Sequence, residues 1–73
     1  MGVFGQLLGA TLNFVEATRK EMNELNRSGV DLYNQGYYYE ALDYFNAALR
    51  FQPNNQTILQ NKQDCIDAIN RLE

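Results

Sequence analysis

Apolar residues recur along the first half of the chain every three or four positions: Phe4, Leu8, Thr11, Val15, Thr18, Met22, Leu25, Gly29 and Leu32 form one stripe, in which Thr11, Thr18 and Gly29 are small. That spacing predicts a helix from about Phe4 to about Asn34, continuous or interrupted at Ser28-Gly29. Val3, Leu7 and Phe14 widen the stripe, so the first half of this helix is apolar over much of its circumference. Glu16 precedes Lys20 by four residues, the orientation that supports helix through 16 to 24. A second helix is predicted from Tyr38 to Phe51, with Ala41, Leu42, Phe45, Ala48 and Leu49 on one face. A third runs from Gln56 to Leu72. It places Ile58, Leu59, Cys65, Ile66, Ile69 and Leu72 on one side, and Gln60, Asn61, Gln63, Asp64, Asp67, Asn70 and Arg71 on the other, as a lid with one wet face.

The breaks between these segments have chemical causes. Asn34-Gln35-Gly36 supplies a C-terminus at which glycine takes the left-handed conformation without a Cβ clash. Pro53, the only proline, biases Gln52 away from the helical region, and Asn54 or Asn55 can cap the helix that follows. The expectation is an all-α chain of three helices.

Within it, Ala41, Phe45, Ala48 and Pro53 stand 12, 16, 19 and 24 residues after Gly29. Gly29 and Ala41 are small where two helices would cross at close range. Phe45 and Ala48 make a large and small pair that fills the wedge toward the next helix, and Pro53 ends the second helix. These intervals resemble the tetratricopeptide repeat, a helix–turn–helix unit of about 34 residues. The resemblance implies a repeat over residues 22–55, with Leu25 and Leu32 at its first-helix apolar positions and Tyr38 at its turn. It departs from the family pattern at Leu25, where an aromatic is usual, and at Ser28, where leucine is usual. Adding 34 carries Leu25 to Leu59 and Leu32 to Ile66, so the third segment is similar to the first helix of a second repeat and caps the stack. Subtracting 34 pairs Ala48 with Phe14 and Pro53 with Arg19, so the N-terminal segment is no earlier repeat. The resulting organisation is an α-α superhelix type of hairpin: an apolar helical extension over residues 1–21, one repeat over 22–55, and a capping helix over 56–73.

Composition narrows the chemistry. With 73 residues, the chain makes one small domain that buries about 60% of its unfolded surface. Hydrophobic residues at 45% and charged residues at 21% are near the globular average, so the chain can form a core. Nine acidic against six basic residues give a net charge of -3, which offers nucleic acid no positive footprint. There is no histidine and Cys65 is the only cysteine, which excludes a disulfide, a Cys/His zinc site and a Cys–His nucleophile within one chain. Cys65 reads as a buried small hydrophobe. The pairs Asp64/Asp67 and Glu21/Glu24 read as solvated faces. No enzyme activity, cofactor or metal is expected.

About three repeats are needed for independent stability, and this chain has one and a cap. Self-association is therefore expected to cover the open flanks, first as a dimer, through Phe4, Leu7, Leu8, Thr11, Leu12, Phe14, Val15 and Thr18. The resemblance implies a further contact, a groove that holds a peptide or helix of another protein, faced here by Asn23, Asn26, Val30, Tyr33 and Asn34. The family's carboxylate-clamping variety carries lysine and asparagine where this chain has Asn26 and Val30, so a receptor of that kind is not expected. Of the run Tyr37-Tyr38-Tyr39, the repeat uses Tyr38. Tyr37 and Tyr39 are expected to pack over the helix ends, with an exposed interface role as the alternative.

The leading expectation is a cytoplasmic adaptor or assembly factor. The alternative is a peripheral protein whose charge-free residues 1–15 lie in a membrane surface. Arg19 and Lys20 follow that segment, so it lacks the preceding positive charge of a secretory signal, and Gln6 stands where myristoylation requires serine or threonine.

Overall fold

The computed structural model describes the backbone of residues 2–72 and the side chains of residues 16–72. Among these residues it consists of three helices and no strand: α1 (Gly2–Asn34), α2 (Tyr38–Leu49) and α3 (Gln56–Leu72). α1 and α2 form an antiparallel hairpin, and α3 packs against α2 while touching α1 far less. The 33 residues of α1 give it a length of about 50 Å. The molecule measures 61 × 20 × 13 Å, so α1 extends well beyond the hairpin.

The turn between α1 and α2 follows from Gly36, whose φ of 89° lies in the left-handed region. That conformation lets the Gly36 N–H donate to the Tyr33 carbonyl at 3.0 Å and the Tyr37 N–H to the Leu32 carbonyl at 2.9 Å, satisfying two acceptors at the end of α1. Of the two candidate caps for α3, Asn55 takes the role. Its Oδ1 accepts from the Ile58 N–H at 3.0 Å, and its Nδ2 donates to Gln52 Oε1 at 3.0 Å.

Helix boundaries differ from expectation in two places, the start of α1 and the end of α2. α1 begins at Gly2 and runs unbroken through Ser28-Gly29, because the tertiary contact made at Gly29 outweighs the poor helix propensity of glycine. α2 stops at Leu49 and not at Phe51. Its last turn tightens, with Arg50 N–H donating to Ala47 at 3.2 Å and Phe51 N–H to Ala48 at 3.1 Å, as the chain prepares for Pro53.

The core is built around Phe45, which is 1% exposed, together with Met22, Ala41, Ala48, Ile58 and Cys65. Leu25, Val30, Leu32, Tyr33, Leu42 and Leu49 pack around it, half-buried. Ala41 and Ala48 are fully buried one turn to either side of Phe45, so α2 presents little bulk except this one ring. The ring lies directly over Gly29. A Cβ at that position would sit 2.6 Å from Phe45 Cε1 and 2.8 Å from Cδ1. Ala68 and Ile69 extend the core on α3, whereas Leu72, expected on the apolar side, is 70% exposed because no described element packs beyond α3.

Cys65 is buried and reduced on α3. Burial pushes its thiol pKa up, and the neighbouring Asp64 carboxylate adds to the shift. No described helix is long and apolar enough to cross a membrane.

Gly29→Ala sets two effects against each other. Alanine gains about 1 kcal/mol of helix propensity, but overpacking against Phe45 costs about 1–3 kcal/mol. The contact is with a ring locked in the core, so net destabilisation is expected on urea unfolding. Pairing the substitution with Phe45→Leu should recover part of the loss. For Cys65, the raised native pKa means that the unfolded chain releases the thiol proton first. Stability is therefore expected to fall as pH rises above the ordinary thiol range, and Cys65→Ala should make that decline shallower.

Candidate functional site

α1 and α3 lie on the same side of α2 and leave a cleft between them of about 200 Å3. Its α1 wall is Val30, Tyr33 and Asn34, its α3 wall is Asn61 and Asp64, and Phe45 of α2 reaches it from below. The ring that fills the notch at Gly29 therefore also contributes to the cleft.

Each wall is held by a specific contact. Tyr33 meets Tyr38 edge to face, with centroids 5.2 Å apart and planes inclined at 60°, which anchors the Tyr33 ring from the turn side. Across the seam, Asn61 Nδ2 donates to Asn26 Oδ1 at 3.0 Å, a bond between residues 35 apart in the chain that ties α3 to α1. Asp64 is half-buried, and its Oδ1 accepts from Gln60 Nε2 at 2.9 Å, one turn earlier on the same helix. No lysine or arginine is among the described residues that line the cleft.

Of the five residues expected to face a groove, Val30, Tyr33 and Asn34 line this cleft, and Asn26 borders it through its bond to Asn61. Asn23 is exposed on α1 and lies outside the lining. Asn61 and Asp64 were expected on a wet face of α3. Both are half-buried, because α3 has a second neighbour, α1, on the side its apolar stripe does not reach. Asp64 was nevertheless legible: it lies 34 residues after Val30, the interval that relates Leu25 to Leu59. Asn61 matches Arg27 at that interval, which is not a groove position, so the repeat pattern carried no signal for it.

Other surfaces differ in kind. A hollow of about 440 Å3 beside Lys20, Glu21, Glu24, Leu25 and Ser28 is larger, but its whole wall is α1, so it is the open flank of a helix. Tyr37 and Tyr39 do not pack over the helix ends. They are 53% and 58% exposed, because the glycine turn directs the chain away from the core before α2 begins. Tyr44 and Phe51 are also exposed, so aromatic side chains recur every seven residues, at 37, 44 and 51, along the outside of α2 and its ends. Of the self-association candidates, Thr18 is half-buried on α1. Phe4, Leu7, Leu8, Thr11, Leu12, Phe14 and Val15 lie outside the residues whose side chains are described.

Among known proteins, the family model of the tetratricopeptide repeat matches residues 23–55. No curated protein and no solved structure matches the chain. The matched segment spans the hairpin part of α1, the Gly36 turn, α2 and the Pro53 turn, and it contains the Gly29–Phe45 contact around which the core is built. Residues 23–55 are thus a tetratricopeptide repeat, whose helical hairpin is capped by α3.

Proposed function

We propose that this chain is a protein-interaction module that works at two places: the cleft between α1 and α3, which receives a peptide or helix of a partner, and the flanks of the hairpin with the N-terminal extension, which join it to another copy. The observation that carries the reading is the cleft itself. It lies on the side of a tetratricopeptide repeat where the family holds its ligands, and it combines aromatic and aliphatic surface with the side-chain amides of Asn34 and Asn61, which both donate and accept hydrogen bonds. The lining contains no histidine, cysteine or serine to serve as a nucleophile or its base, which favours binding over catalysis.

Self-association is supported by what the single repeat leaves uncovered. Tyr37, Tyr44, Phe51 and Leu72 keep a third or more of their surface in water. α1 runs on beyond the hairpin through a stretch whose first 15 residues carry no charge. A second copy of the same chain supplies apolar surface of the same kind, and an arrangement with twofold symmetry closes after one contact.

Sedimentation of the full chain at high micromolar concentration tests this part directly. A dimer or larger species is expected, and Leu8→Glu, which places a charge in the uncharged stripe, should shift it toward monomer. A compact monomer at that concentration contradicts the proposal. Flotation with liposomes separates the alternative: lipid binding that Leu8→Glu abolishes, with a monomer in buffer, assigns residues 1–15 to a membrane surface.

A further inference from the structure

We propose that the cleft selects a cationic side chain, a lysine or arginine on an extended segment of the partner, with Asp64 as its counter-charge. The inference rests on the reading of the cleft as the ligand groove and adds the chemistry of what enters it. Its size is the first argument. A volume of about 200 Å3 has room for one long side chain of a ligand whose backbone stays outside it. The second is the order of its surfaces. Val30, Tyr33 and Phe45 offer apolar and aromatic surface suited to a methylene stem, and the face of an aromatic ring such as that of Tyr33 attracts a cation and not an anion. The third is charge. Among the described residues lining the cleft, Asp64 is the only ionised group, and the chain as a whole carries -3, so an acidic ligand side chain would meet repulsion with no lysine or arginine among them to receive it.

Asp64 is prepared for this role by its neighbour. Gln60 holds Oδ1 at 2.9 Å, which orients the carboxylate and leaves Oδ2 to accept from an incoming ammonium or guanidinium group. Asn34 and Asn61 contribute amide oxygens on either wall. The bond that Asn61 makes to Asn26 goes through its nitrogen, so its oxygen is not used in that bond.

The test uses the full chain, isotopically labelled, titrated with three capped five-residue peptides that differ only at the centre: lysine, its uncharged analogue norleucine, or glutamate. The lysine peptide is expected to shift the amide resonances of Val30, Tyr33, Asn61 and Asp64 and to bind about tenfold more tightly than the glutamate peptide, a preference that weakens with added salt. Asp64→Asn should bring that ratio close to one, while Asp67→Asn, outside the cleft, should leave it unchanged. Asn61→Asp, which adds a second carboxylate, should increase it, and this variant keeps the question decidable if Asp64→Asn fails to fold. Equal shifts from all three peptides would overturn cationic selection and leave the cleft as a ligand groove. Tighter binding of the glutamate or norleucine peptide would assign an acidic or an apolar occupant instead. If none of the three moves a cleft resonance, the groove reading fails together with the selectivity.

Discussion

The ring of Phe45 lies so close to the backbone of Gly29 that no side chain fits between them, and the rest of the molecule is arranged around that contact. It sets how near α1 and α2 approach, since Ala41 and Ala48 on either side of the ring add almost no bulk. It makes an unbroken α1 worthwhile despite a glycine in its interior. Burying an aromatic side chain of this kind stabilises a fold by about 1.5–3 kcal/mol, which exceeds the roughly 1 kcal/mol that glycine costs a helix. The same ring then reaches the cleft, so the feature that holds the hairpin together also shapes the surface offered to a ligand.

A core with one large ring, a few aliphatic side chains and several alanines is small even for a chain of this length. Two kinds of surface remain outside it. One is polar and organised: the seam where Asn61 bonds Asn26 and where Gln60 orients Asp64. The other is apolar and uncovered: the aromatics at 37, 44 and 51, and Leu72 at the end of α3. In longer arrays the second kind is covered by the next repeat. In the account proposed here another copy of the chain takes that place, which leaves the polar seam for a partner and keeps the two roles on different faces.

Much of this fold was legible from local chemistry. Gly36 and Asn55 end and begin helices through bonds that depend on one residue each, and the intervals from Gly29 to Pro53 encode a crossing of two helices whatever surrounds them. The pattern failed where a residue's surroundings depend on more than one neighbour. Asn61 belongs to the polar side of α3, but that side meets α1, so an amide expected in water makes a bond across the fold. Leu72 belongs to the apolar side, yet burial needs a neighbour that α3 lacks at its end. Tyr37 and Tyr39 flank a tyrosine that packs against Tyr33, and consecutive residues at a helix start point in different directions, so one aromatic is held and two are exposed.

The central claim is that the hairpin gains part of its stability from surface supplied by a second copy, and the thermal midpoint of unfolding measured across a hundredfold range of protein concentration tests it most directly. Association that favours the folded chain makes that midpoint rise with concentration, and the account predicts such a rise, with a smaller one in Leu8→Glu. A midpoint that stays constant across the whole range would contradict it.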